Sequence, residues 1–238
     1  MSRFVGMFAL AVVLLVAFVP IERRAGKSAL VPREVMANES FRASCVAILL
    51  MSATFFAALL YLPQFMQHQL GYSPLEAGVG LLPFLATFAA VSFVAGPLYE
   101  RLGAKLLATV GAGCIAVSPF IFSLVASRSS FASLIPGMVV LGIGIGSFYP
   151  TATTAGVTSV DESQTSLAGG IVYMFQIAGG SIGLGLTTTV FSAQPSFVDG
   201  IEAAFRLDAA LSLAGFLVAL FFVGGRLLGR RSAESASA

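Results

Sequence analysis

The chain has 238 residues, of which 57% are hydrophobic and only 10% charged, with a formal net charge of +2. Soluble domains carry about 25% charged residues, so an ordinary soluble fold is excluded and an integral membrane protein is expected, in keeping with a mean hydropathy of +0.94. The charge is too small, and the basic residues too scattered among loops, for a nucleic-acid surface. Cys45 and Cys114 each fall inside an apolar run, so they are expected to pack as small hydrophobes rather than to build a disulfide framework or a zinc site.

Seven apolar runs come near the length a helix needs to cross a bilayer: residues 4–20, 43–66, 75–98, 105–126, 131–155, 166–191 and 207–225. The expected fold class is therefore all-α, a polytopic membrane helix bundle of about seven transmembrane helices. Its predicted parts are a leading helix over 1–20, a connector over 21–42, a six-helix body over 43–227 and a tail over 228–238. The first run follows Arg3 and has the look of a signal peptide. However, Glu22-Arg23-Arg24 stands where a small-residue cleavage site would be, which favours a spanning helix with its N-terminus outside. The connector contains Pro32 and the sequon Asn38-Glu39-Ser40, expected to be silent on a cytoplasmic face.

Between the second and third runs of the body lies a short polar turn, Gly96-Pro97-Leu98-Tyr99-Glu100-Arg101-Leu102-Gly103-Ala104-Lys105. Gly96 lets helices approach, Pro97 strains the end of the incoming helix and Gly103 permits a tight reversal. Glu100 and Arg101 can pair with each other or with helix ends. Placing this turn in the cytoplasm assigns every other loop by alternation. Arg23, Arg24, Lys27, Arg33, Arg42, Arg101, Lys105, Arg226, Arg230 and Arg231 then lie inside, against Arg3, Arg128 and Arg206 outside. That asymmetry is what the positive-inside rule demands. A cell (plasma or inner) membrane is expected, with the N-terminus outside and the C-terminus cytoplasmic. The loop over 157–165, assigned inside, offers only Asp161 and Glu162.

The pattern of Gly96, Leu98, Glu100, Arg101, Gly103 and Lys105 resembles the loop between the second and third helices of a six-helix repeat in the major facilitator superfamily, where it helps to latch the cytoplasmic gate. Glutamate stands at position 100 where that family more often has aspartate. Further stretches are similar to the fourteen-helix drug:proton antiporter branch. Tyr61-Leu62-Pro63-Gln64-Phe65-Met66-Gln67 with residues 70–78 looks like the seam between the first two helices of its C-terminal half. Leu141-Gly142-Ile143-Gly144-Ile145-Gly146 with Tyr149-Pro150, then residues 166–169 and 176–183, look like the fourth and fifth. The resemblance covers about residues 21–225 and implies two inverted three-helix units, although no clear internal sequence repeat is visible. It implies the C-terminal half of a secondary active transporter that exports amphipathic small molecules or drugs, driven by a proton gradient. A missing N-terminal half, in the same or a separate chain, would complete it and carry the main proton-coupling carboxylate. The alternative is a stand-alone membrane helix bundle with a regulatory or assembly role and no transport by itself.

Inside the membrane no ionisable group is expected. Every Asp and Glu is placed in a loop or at a helix end, with Asp208 at the start of the last helix, so this half is not expected to couple protons by itself. By resemblance, the first, second, fourth and fifth helices of the body line the pathway while the third and sixth support them. A substrate cavity needs sparse polar groups on an apolar wall, which selects Tyr61, Gln64, Tyr149, Tyr173 and Gln176, with Phe55, Phe65, Met51 and Met174 as adaptable apolar surface. Packing or lipid exposure is the competing reading of each aromatic and methionine; Gln176 points to an interhelical hydrogen bond or substrate contact. Gly142 and Gly146, and again Gly179 and Gly183, are four apart and should leave grooves where neighbouring helices pack. Pro63, Pro83, Pro119, Pro136 and Pro150 kink helices or mark their ends. No catalytic residue, metal ligand or cofactor is expected, and no GxxxxGK[ST] loop occurs. Gly179-Gly180-Ser181-Ile182-Gly183 formally matches a hydrolase nucleophile elbow. It lies in an apolar helical run, and His68, the sole histidine, belongs to an external loop, so the elbow carries no hydrolase expectation.

Overall fold

The computed structural model describes residues 33–125 and 130–223, so the predicted leading helix over 1–20 and tail over 228–238 lie outside the described residues. The chain divides into two units, 1–38 and 39–238. Of the first, the short helix α1 (Arg33–Ala37) is described. The second is the bundle: α2 (Glu39–Gln69), α3 (Pro74–Val79), α4 (Leu82–Leu102), α5 (Ala104–Val125), α6 (Phe131–Val157), α7 (Thr165–Ser192), entered through a 3-10 turn at Glu162–Gln164, and α8 (Phe197–Phe222). The described residues are helical with no strand, and six spans in them are long and apolar enough to cross a membrane. The fold is thus an all-α, polytopic bundle.

Local chemistry sets the helix ends. Ser73 caps α3 with a reciprocal capping box: its N–H donates to Glu76 Oε2 at 2.8 Å and its Oγ accepts from Glu76 N at 3.3 Å, while Pro74 fills the first turn. The predicted single helix over 75–98 is broken at Gly80 and Leu81, then runs on to Leu102, so Pro97 lies inside α4 rather than at its end. Gly103 alone separates α4 from α5. Its φ of 81° and ψ of 157° belong to a region essentially restricted to glycine.

A larger difference concerns the last helix. The expected start at 207 follows the apolar run, but α8 begins ten residues earlier, where Ser196 Oγ accepts from Asp199 N at 3.2 Å and caps the first turn. The cap and a helix dipole favouring Asp199 carry the helix outward through polar sequence.

The helix pairing has an internal symmetry that the sequence did not display. α2 packs on α7 and α8, α6 packs on α4 and α5, α5 packs on α8, and α2 meets α6 at the centre. Exchanging the first three spans (α2, α3–α4, α5) with the last three (α6, α7, α8) leaves this set of neighbours unchanged. Two three-helix units related by such an exchange are the expected design of one transporter half. α2, α5 and α6 are the most buried spans, whereas α4, α7 and α8 leave most of their surface open.

Candidate functional site

Glycines set how closely the backbones approach. A Cβ on Gly142 would stand 2.7 Å from the Phe84 carbonyl oxygen, and one on Gly146 2.8 Å from that of Phe88, so α6 presses directly on the α4 backbone. On the other side, a Cβ on Gly179 would run into the Leu49 carbonyl and one on Gly183 into Ala53, so α7 presses as closely on α2. Gly111 and Gly144 do the same where α5 crosses α6. Glycine pairs four apart thus seat both flanking helices on the central pair.

Polar groups in the central seam are satisfied between helices. Ser52 Oγ donates to the Ile48 carbonyl at 2.7 Å, which leaves the Tyr149 hydroxyl to donate to Ser52 Oγ at 2.9 Å across the α2–α6 contact. Phe55 packs on both Tyr149 and Phe84, with ring centroids 6.1 and 6.2 Å apart. Tyr61 is also turned inward. Its ring stacks on Phe191, and its hydroxyl lies 3.2 Å from Thr188 Oγ1 and 3.5 Å from Thr187 Oγ1. Met51 and Phe65 are fully buried. Tyr61 and Tyr149 are therefore held within the bundle as bracing between helices; Tyr173, Gln176 and Gln64 are the remaining candidates.

Those remaining candidates stand at the open surface. Tyr173 is 63% exposed on α7, with Met174 beside it. Gln176 and Gln64 are half-buried, and neither makes a hydrogen bond among the described residues. The exposed stripe of α7 is mixed: Ser166, Gly170, Tyr173, Ile177, Ser181 and Thr188 recur at helical spacing along it. The same open face also carries Leu167, Met174, Ile182 and Leu186, and Thr188 Oγ1 is the atom that meets the Tyr61 hydroxyl.

At the opposite end of α4 the polar turn is solvent-exposed. Glu100 and Arg101 make no ion pair with each other, unlike Arg206 and Glu202 on α8. Of the two pairings expected there, the one between the side chains is not formed, while Arg101 lies in the last turn of α4, where the helix dipole favours a cation. A cleft of about 320 Å³ opens beside Glu100, lined by Ala95, Gly96, Tyr99, Pro150, Thr151 and Thr154, where the ends of α4 and α6 converge. Leu98 is exposed, and Lys105 is half-buried at the start of α5.

Asp208 overturns an expectation. It lies eleven residues inside α8, fully buried, and both carboxylate oxygens lack a hydrogen-bond partner. Its expected place at the start of the last helix is wrong because the helix begins at Phe197 rather than at 207, and with it falls the expectation that every acid lies in a loop or at a helix end. The legible signal was the Ser196-Phe197-Val198-Asp199 cap.

A sequence model described as Major Facilitator Superfamily matches residues 4–184 and, overlapping, 44–236. Over 212 residues the chain is 29% identical to "Uncharacterized MFS-type transporter EfpA" of Mycobacterium tuberculosis (strain ATCC 25618 / H37Rv), covering 88% of this chain and 39% of EfpA. It is 25% identical over 225 residues to "Quinolone resistance protein NorB" of Staphylococcus aureus (strain COL), covering 92% of this chain and 48% of NorB. A similar match, 25% over 211 residues, joins it to "Uncharacterized MFS-type transporter YvkA" of Bacillus subtilis (strain 168), covering 87% and 46%. The chain spans less than half the length of these curated relatives.

Proposed function

The chain belongs to the major facilitator superfamily, a family of transporters rather than enzymes, and from that premise we propose that it is the C-terminal half of a secondary exporter of amphipathic small molecules. One observation carries the reading. The six spans form an exchange-symmetric bundle whose flanking helix α7 exposes Ser166, Tyr173 and Ser181, polar groups that a second half or a water-filled cavity would cover. Relatives about twice as long supply the precedent for a second half.

In this mechanism Tyr173 and Gln176, with Met174, form one wall of an apolar cavity with few polar anchors, suited to varied amphipathic substrates. Gln64 belongs to the same wall near the outer end of α2. Tyr61 and Tyr149 hold α2 to α7 and α6 so that the wall moves as one body. The turn from Gly96 to Lys105 sits on the cytoplasmic side, where its unpaired Glu100 and Arg101 remain available to the partner half, and the adjoining cleft receives that contact. Rocking of the two halves around the cavity exposes it alternately to each side. A proton gradient drives export, and the orientation is the one that the positive-inside rule gives.

The test is co-expression. In cells stripped of their own exporters, this chain paired with the N-terminal half of a fourteen-helix relative should lower accumulation of a fluorescent quinolone, and collapse of the proton gradient should abolish the effect. Equal accumulation with and without the pair would refute the reading.

A further inference from the structure

Asp208 has no role in the cavity wall or in the gate, yet its burial requires an account. It occupies the interior of α8 where that helix lies against α2 and α5. Thr54 of α2 donates its Oγ1 hydrogen to the Asp208 main-chain oxygen at 3.4 Å, and Ser212 donates to the same oxygen at 2.7 Å. One turn outward, Phe205 packs on Tyr61 of α2 and Phe122 of α5; two turns inward, Gly215 lies against Leu50 and Met51. The carboxylate itself receives none of these hydrogen bonds.

Among the described residues no countercharge faces it. On α2 the ionisable groups are Glu39, Arg42 and His68 near the ends, with Cys45 and Tyr61 between; on α5 they are Lys105 at the start and Cys114; on α7, Tyr173 alone. On α8 itself, Asp199 is capped by Ser196, and Arg206 is exposed and engaged with Glu202. An anion buried without a partner or hydrogen bond costs several kcal/mol. A bound cation removes that cost. A metal ion would need a shell of oxygens, and no cluster of three or more His, Cys, Asp or Glu side chains occurs among the described residues, whereas a proton needs one oxygen.

We propose that Asp208 is a proton-binding site inside this half, whose occupancy governs the packing of α2 against α8. The step is a carboxylate taking up one proton to become a carboxylic acid, and releasing it. With the proton bound, the neutral group stays dry between the helices. When the proton leaves, the anion must reach water, and α2 and α8 must part to admit it. Because α2 belongs to the proposed pathway, proton release is tied to movement of the cavity wall; this coupling rests on the exporter reading above, while the binding site stands on the geometry alone.

Infrared difference spectroscopy on the full chain in liposomes tests the site. At neutral pH the expected spectrum contains the carbonyl stretch of a buried carboxylic acid that shifts in deuterated water, converts to carboxylate on raising the pH, and is lost in Asp208→Asn. Absence of a band that this substitution removes, or a band indifferent to both pH and deuterium, would overturn the proposal. Should Asp208→Asn fail to fold by circular dichroism, Asp208→Glu replaces it: a shifted carboxylic-acid band supports the site and an unchanged spectrum refutes it. In the paired exporter, Asp208→Asn should abolish proton-driven export while downhill substrate equilibration persists, and undiminished proton-driven export would refute the coupling. If the unmodified pair exports nothing, it is the exporter reading that has failed, and the infrared result still decides the site.

Discussion

α4 and α7 occupy equivalent places under the exchange of three-helix units, each lying on the central helix of the other unit through two glycines four residues apart, yet the two seams are built in opposite senses. Against α4 the glycines belong to the central helix, Gly142 and Gly146 of α6; against α2 they belong to the flanking helix, Gly179 and Gly183 of α7. The open faces diverge as well. α4 exposes Leu82, Leu85, Ala89, Phe93 and Val94, with Phe93 87% exposed, whereas α7 exposes the Ser166-to-Thr188 stripe. Equivalent positions in a pseudosymmetric bundle thus take unequal chemistry: the open face of α4 is apolar, while that of α7 mixes hydroxyls and a tyrosine with Leu167, Ile182 and Leu186.

The largest effect should come from breaking the two seams. Gly179→Ala drives its Cβ into the Leu49 carbonyl and Gly142→Ala meets the Phe84 carbonyl at 2.7 Å, both backbone atoms with little freedom to yield. Each should cost roughly 1–3 kcal/mol by overpacking, read as earlier unfolding in detergent titration. Gly170→Ala, on the open stripe with nothing near its Cβ, should leave that titration unchanged. Comparable in size but confined to the turn, Gly103→Ala forces an L-residue to φ 81° and should cost about 1–3 kcal/mol, seen as increased proteolysis between α4 and α5.

A functional contrast follows. Tyr173→Ala should alter the range of drugs exported by the paired halves while leaving thermal stability unchanged, and Phe93→Ala should leave that range intact; parallel export assays over several substrates compare them. The smallest effect belongs to the central seam, where Tyr149→Phe removes one interhelical hydrogen bond, worth about 0.6 kcal/mol on average in membrane bundles. Ser52 keeps its bond to Ile48, so no buried donor is orphaned. Its unfolding midpoint should shift only slightly.

Much of the architecture could be read from the chain because a bilayer imposes a length on every apolar run, and the six described spans begin or end near the predicted limits except at α8. There the apolar count was misled by Asp199 and Glu202, charged residues that a capped helix carries into its first turns. The consequence reached the chemistry, since moving the helix start outward by ten residues moved Asp208 from a helix end to the buried interior of the bundle. Glycine spacing gave the packing faces of α6 and α7 but not their partners, because i, i+4 periodicity identifies a groove without saying which helix fills it. Tyr61 and Tyr149 show the same limit from the polar side. Their type and position suit a cavity, and only the placement of Thr188 and Ser52 on neighbouring helices reveals that their hydroxyls are turned inward.

The central claim is that a six-helix half with one polar flank transports only when a second half covers that flank. Reconstituting the purified chain in liposomes with an imposed proton gradient, alone and together with an N-terminal half, measures this directly. Gradient-driven quinolone movement only in the paired vesicles is the predicted result; equal movement by this chain alone would contradict it.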